Sequence, residues 1–385
     1  MSHALRWIAE LCTAGAVIGC AYTLAAGIML LARRSARNAV PPPASFLPVT
    51  ILKPLCGAEP GLFDRLAAFC SQDYAGPVQV VFGVQAASDP AIEMVRELQA
   101  RFPRLPIALQ IDGREHGGNR KISNLINMLP LARHDTLIIS DCDMIVGPHY
   151  LAEVVATLAR PGVGAASCLY HGVAAGSVAS RLAALAINTH FLPLVVTALH
   201  LHLAQPCFGA TIATRRGLLD DVGGLRAFGD VLPDDHAIGQ SVRGAGHAVA
   251  FAPTAIGHAC PDDDMGATLS RLLRVARTIR LIDPIGYAGT IIANPFALAL
   301  TAALLGASDA GAMMGCALVC RMILCACAQR AFRLPAQPYW LIPVHDVIAF
   351  AIYAVSFAGT MVMWRGYRYR VAEDGTMSRD APRSA

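Results

Sequence analysis

Charge is scarce in this chain. Of 385 residues only 15% are Asp, Glu, Lys or Arg, 55% are hydrophobic, and the mean hydropathy is +0.48. That balance excludes an ordinary soluble two-domain enzyme and places part of the chain in lipid. Aromatic residues make up 6%, and no tract mixes them densely with Lys and Arg, which excludes a nucleic-acid groove and any nucleic-acid partner. The net charge of +4 implies nothing beyond juxtamembrane arginines. Twelve cysteines are present but no C-x-x-C pair. Four of them, Cys316, Cys320, Cys325 and Cys327, share one apolar run, so reduced and mostly buried thiols are expected in place of a disulfide scaffold.

What the chain does have is apolar length, unevenly placed. Cys12–Leu31 carries no charge and is followed at once by Arg33, Arg34 and Arg37. This is the order of a retained signal anchor with the next residues cytoplasmic, and the reverse of a cleaved signal peptide. Residues 1–32 are therefore expected to be an N-terminal transmembrane anchor. The stretches Tyr287–Gly306, Ala310–Ala328 and His345–Trp364 predict three C-terminal membrane helices within 286–364, of which one could dip into the membrane without crossing it. Residues 365–385 follow as a polar tail. Arg330 and Arg333 place the link before the last span inside, whereas an odd number of spans sends the arginine-bearing tail outside.

Residues 33–285 are mixed in composition and long enough for one domain with its own core. Strand-like runs, Val49–Leu55, Val78–Val84, Ile107–Ile111 and Thr136–Ser140, alternate with segments of helical period, which predicts an α/β domain with a mostly parallel sheet. In such sheets ligands bind beyond the carboxyl ends of the strands. Lys53, Asp89, Asp141 and Asp143 fall along that edge. The run "LIISDCDMIV" thus ends a buried strand in two carboxylates. They are either turn acids or ligands of Mg²⁺ or Mn²⁺, hard ions that take one or two protein oxygens together with phosphate oxygens.

Six pieces occur in order: "KPLCG" at Lys53, "VQAASDPAI" at Val84, "GGNRKISNL" at Gly117, "SDCD" at Ser140, "PDDHAIG" at Pro233 and "RLLRV" at Arg271. Together they resemble the family 2 glycosyltransferases with a D, D, D, (Q/R)xxRW signature. The resemblance is to the ceramide glucosyltransferase-like branch, and closest to the bacterial hopanoid glycosyltransferases that add N-acetylglucosamine to bacteriohopanetetrol. It implies a GT-A type nucleotide-sugar-binding domain of α/β class carrying N-terminal and C-terminal transmembrane helices, in the bacterial inner membrane with the catalytic domain cytoplasmic. It also implies a UDP-sugar donor, UDP-N-acetylglucosamine or UDP-glucose, a lipid acceptor in the membrane, and Mg²⁺ or Mn²⁺ as cofactor.

By the same resemblance Asp89 contacts the uridine, Asp141 meets the diphosphate and metal, and Asp143 completes an Asp-x-Asp metal pair. Asp235 is the general base, and Arg271 and Arg274 match the last motif, in which Val275 replaces the family's tryptophan. Lys53 and Lys121 are expected at the donor. Lys121 follows a Gly pair that suits either a loop closing on phosphate or a surface turn. Asp235 opens the helical segment His236–Gly246, whose dipole favours the carboxylate form, and Asp234 can exchange roles with it. Arg271, Arg274, Arg277 and Arg280 recur every three residues on an amphipathic segment within 268–285 that suits anionic lipid as well as a diphosphate. Phe191–Ala204 is too short to span and is read as an interfacial or re-entrant segment, or else a core helix. A transporter or membrane scaffold is the non-enzyme alternative.

Overall fold

The computed structural model describes residues 3–36, 46–261, 264–364, 367–372 and 375–379. Arg37 and parts of the tail lie outside the described residues. The chain divides into two compact units. One comprises Ala39–Tyr170, Gln205–Pro261 and Gly375–Ala385; the other comprises Met1–Asn38, His171–Ala204 and Asp262–Asp374.

The first unit is the α/β unit. Strands β1 (Val49–Pro54), β2 (Val78–Val84), β3 (Ile107–Ile111) and β4 (Thr136–Ile139) coincide with the predicted runs. Their apolar residues alternate between two cores, as a two-sided sheet requires. Val49, Ile51, Val80 and Phe82 face the helices Leu62–Cys70 and Ala91–Arg101, while Leu52, Val81 and Leu137 face Ile122, Leu125 and Met128 of the helix Arg120–Met128. Two further short strands follow, β5 (Met144–Ile145) and β6 (Val163–Ser167), and β7 (Tyr170–Ala174) leads out of the unit. The chain returns with β8 (Ile212–Arg215), β9 (Ala248–Phe251) and β10 (Ile256–Cys260). The main sheet has the order β3-β2-β1-β4-β8-β6-β9 and is parallel except at β8, which opposes both neighbours. β5 and β10 pair antiparallel outside the main sheet, with His258 opposite Met144.

The second unit is helical. Among the described residues four helices are long and apolar enough to cross a membrane: His3–Arg33, Val178–His200, Ala310–Phe332 and Tyr339–Ser356. Three differences from the sequence reading have local causes. The expected span Tyr287–Gly306 is broken, bending by 73° between Pro284–Ala293 and Pro295–Leu304, because Pro295 cannot donate to the preceding turn. The greasy stretch at Phe191 begins earlier, at Val178, and runs through a π turn at Ile187–Phe191. The last expected span ends at Ser356, after which β11 (Met361–Trp364) pairs with β12 (Tyr367–Val371), so the start of the tail is a hairpin strand. A last strand, β13 (Met377–Arg379), belongs to the α/β unit.

Arg321, the one charge within the apolar run Ala310–Ala328 apart from Asp309 at its edge, is wholly buried. Its guanidinium forks onto Asp346 (Nε to Oδ2 2.9 Å, Nη2 to Oδ1 2.8 Å) and donates to the Thr189 carbonyl (2.7 Å) and His190 Nδ1 (3.0 Å). The wide π turn presents that carbonyl. A cation already sits among His190, His345 and Asp346, which opposes a metal ion there. On the helix Met265–Ile282, Arg277 donates to the Met361 and Ala358 carbonyls (2.7 and 2.9 Å) and Arg280 to that of Gly359 (2.9 Å). These two arginines tie down the turn before β11, a use the lipid reading did not foresee.

Candidate active site

The loop before Lys121 is fixed, not free to close. Gly117 adopts φ +147° where a side chain would strike the Gly229 backbone, Gly118 N–H donates to Asp230 (2.7 Å), and Asn119 N–H donates to the Gly229 carbonyl (2.7 Å). Asn119 then caps the helix Arg120–Met128, its Oδ1 accepting from the N–H groups of Lys121 and Ile122 (3.0 and 3.1 Å). Such a cap is worth about 1 kcal/mol. It sets Lys121 between two carboxylates: Nζ lies 2.8 Å from Asp141 Oδ1 and 3.1 Å from Asp234 Oδ2.

Gly209 completes the arrangement. Its N–H donates to Asp235 Oδ2 (2.8 Å) and its carbonyl accepts from Asp141 N–H (3.3 Å). A Cβ at this position would lie 2.9 Å from Lys121 Nζ and 3.0 Å from Asp141 Oδ2. Asp141, Asp235, Gly209 and His258 line one small cleft with Tyr170 and Phe208. Asp234 is buried beside them, its second oxygen accepting from Asn119 Nδ2 (3.3 Å).

Burial would lower the Lys121 pKa, but Asp141, Asp234 and Asp235 hold it well above the usual lysine value, so the ammonium stays charged. Burial and the neighbouring Asp234 push Asp235 up to about 6, against Lys121 and two backbone N–H groups. The helix-dipole expectation for Asp235 is thus outweighed, although the carboxylate remains mostly ionised at neutral pH. Burial would raise Asp143, yet His258 and Lys53 bring it down to about 2, and Asp143 holds His258 up at about 10.

Asp143 supports a cation site by a second observation. Its Oδ2 meets His258 Nε2 at 3.2 Å, and its Oδ1 is buried with no hydrogen-bond partner among the described residues. A hard divalent cation satisfies such an oxygen. With Asp141 Oδ2 also at the cleft, the residues present fit the Mg²⁺ or Mn²⁺ that the motifs imply.

A sequence model described as glycosyl transferase family 21 matches residues 11–377. The chain belongs to glycosyl transferase family 21. Among its curated relatives are ceramide glucosyltransferase 1 of Caenorhabditis elegans, 23% identical over 60% of this chain and 49% of the relative, and a ceramide glucosyltransferase of Gibberella zeae, 29% identical over 41% and 34%. The chain spans about half the length of the curated relatives it matches, or less. A mannosyltransferase from Pyrobaculum calidifontis, solved with GDP-mannose and Mn²⁺, superposes with a TM-score of 0.50 at 21% identity, over 90% of this chain and 99% of that one. The α/β unit of this family 21 chain has the GT-A fold. The matched family is 21 in place of the family 2 that the motifs suggested, and the likeness to ceramide glucosyltransferases stands.

Of the residues singled out by sequence, the structure brings Lys53, Lys121, Asp141, Asp143 and Asp235 together, but Lys53 in a different part. It is fully buried, its ammonium 3.7 Å above the Phe69 ring and donating to the Asp141 carbonyl and to Ser140 Oγ (3.3 Å). It therefore braces the Asp141 backbone from behind and does not face a donor. Burial lowers its pKa to about 8. Asp89 lies apart from this cluster: its carboxylate accepts from Gly57 N–H (3.1 and 3.0 Å) and Ala91 N–H (2.9 Å), pinning the loop after β1. Arg271 and Arg274 belong to the helical unit, half-buried on the helix Met265–Ile282, with Val275 exposed. Asn119, Gly209 and His258 were not foreseen. One signal was available, since the chain has only two lysines, Lys53 and Lys121, and both serve Asp141.

Proposed function

We propose that this chain is an inverting membrane glycosyltransferase that moves a hexose from a UDP-sugar to a hydroxyl of a membrane lipid. The observation that carries the reading is the pairing of an open, ionised Asp235 with a fixed ammonium, Lys121, across Gly209. Asp235 takes the proton of the acceptor hydroxyl as its oxygen attacks the anomeric carbon, and the bond from that carbon to the diphosphate breaks with its electron pair leaving on UDP. Lys121 stabilises the charge gathering there, already oriented by Asp141 and Asp234, so little reorganisation is needed. A divalent cation held through Asp141 and Asp143, when bound, supplies further neutralisation of the diphosphate. Asp89 serves the uridine side, and Arg271 and Arg274 serve the donor.

The finer reading is N-acetylglucosamine transfer to bacteriohopanetetrol in a bacterial inner membrane, with the catalytic unit cytoplasmic; it rests on the ordered motifs. A second reading, glucose transfer to ceramide, is favoured by the names of the curated relatives. Membranes containing the protein, given UDP-glucose and UDP-N-acetylglucosamine separately with each lipid, distinguish the two by the mass of the glycolipid formed. No glycolipid from any pairing, with folded protein and both lipids present, counts against the transferase reading.

A further inference from the structure

We propose that Cys20, Cys316 and Cys320 form a binding site for a soft monovalent metal cation, Cu⁺, within the helical unit. All three belong to that unit, and the site takes no part in the transfer proposed for the cleft of the α/β unit.

Helix packing gathers the sulfurs. Cys316 and Cys320 stand four residues apart on the helix Ala310–Phe332 and so share one face, while Cys20 lies near the middle of His3–Arg33. Glycine lets the two helices approach closely: a Cβ at Gly27 would lie 3.2 Å from Cys327 Sγ. The sulfur atoms of Cys20, Cys316 and Cys320 all lie within 4.8 Å of one another. Metal–thiolate bonds of about 2.3 Å hold two sulfurs about 4 Å apart, so small side-chain rotations close the group on one ion. The donor set selects that ion. Among the described residues the group offers three sulfurs and no imidazole or carboxylate. Zn²⁺ in a structural site takes four ligands, and Mg²⁺ takes oxygen, whereas thiolate and thioether sulfur select Cu⁺. Met313 and Met314 pack against Cys20 and Cys320 together with Phe296, Ala317 and Leu318, so the surroundings are polarizable and apolar. Such surroundings penalise net charge. Cu⁺ with a single thiolate is neutral, so one thiol proton leaves to solvent as the cation enters and the remaining sulfurs coordinate as thiols. Cys316 is exposed while Cys20 and Cys320 are buried, which makes Cys316 the point of entry. A bound ion then ties the N-terminal helix to Ala310–Phe332.

The test titrates the reduced full-length protein in detergent, without oxygen, with Cu⁺ against a coloured Cu⁺ chelator. One equivalent of Cu⁺ should be withheld from the chelator. Cys20→Ala, Cys316→Ala and Cys320→Ala should each weaken that retention by about tenfold or more, since even disturbed outer shells of metal sites cost about 10- to 100-fold. Cys56→Ala, which removes an exposed thiol of the α/β unit, should retain Cu⁺ as the wild type does. X-ray absorption of the copper-loaded wild type should show sulfur neighbours alone, a measurement that requires no variant to fold. Nitrogen or oxygen neighbours around the copper, no retention by the reduced wild type, or wild-type retention in any one of the three variants overturns the three-sulfur site. A disulfide between Cys20 and either partner in protein purified without oxygen, seen as two thiols that resist alkylation until reduced, overturns it as well and makes the cluster a redox pair.

Discussion

Asp234 and Asp235 have the same side chain on successive residues, and surroundings separate their duties. Asp234 spends its oxygens on Lys121 and Asn119 away from the cleft, whereas Asp235 lines it and is held by two backbone N–H groups. Asp235→Asn should keep UDP affinity and lose about 10² to 10⁴ in transfer rate, measured as turnover beside a UDP binding isotherm. Turnover close to wild type would move the base elsewhere. Because the Asp235 pKa is raised to about 6, the base is ionised above that value and protonated below it, so transfer should fall as pH drops through about 6. A rate flat to pH 5 would contradict the assignment. Gly209→Ala tests the neighbouring contact: its methyl would press on Lys121 and Asp141, a crowding that costs about 1–3 kcal/mol. Donor affinity should drop, and the thermal transition should fall by a few degrees as well.

At the scale of elements, the C-terminal segment does more than the polar tail expected of it. Leu232 N–H donates to the Gly375 carbonyl (3.1 Å), Met377 N–H to that of Asp230 (2.8 Å), and Met377 is buried. The segment thus clips the turn that leads into the helix Asp234–Gly244. Gly375 sits at φ +82° with Pro233 Cγ 3.2 Å from where a Cβ would be. Gly375→Val should therefore strain the clip by about 1–3 kcal/mol and slow turnover several-fold with UDP affinity retained; unchanged turnover would show that the helix start stands without it. β1 to β4 and their helices were legible because each carries its own apolar period. This clip and the β5–β10 pairing were not: β13 and β5, with three and two residues, are too short to show a period, and β10 meets β5 only through pairing distant in sequence. The same reason hid His258. The early start of the helix Val178–His200 was masked by Arg181 in an otherwise small and apolar run, and the break at Asn294–Pro295 by a composition that stays apolar on both sides.

Over the whole molecule, an α/β unit of GT-A fold and a helical unit divide the chain, and the arginine-rich helix Met265–Ile282 belongs to the second. The spacing of its four arginines suits anionic lipid as well as a diphosphate, but Arg277 and Arg280 hold carbonyls of the turn at Ala358–Met361. Arg277→Ala and Arg280→Ala should lower thermal stability in detergent and membranes alike, since backbone acceptors are lost in both. Arg271→Ala with Arg274→Ala asks the functional question. A role on the diphosphate predicts loss of transfer in neutral detergent as well as in bilayers, because the phosphate charge is present in both. A role on anionic lipid alone predicts a loss confined to bilayers, where each basic residue near the surface contributes about 1 kcal/mol. Lysine at Arg271 and Arg274 should rescue in part only, as an ammonium offers one point of charge where a guanidinium bridges two phosphate oxygens. Full detergent activity of the double alanine variant, with an unchanged thermal transition, would remove both arginines from the donor and leave the chemistry to the α/β unit alone.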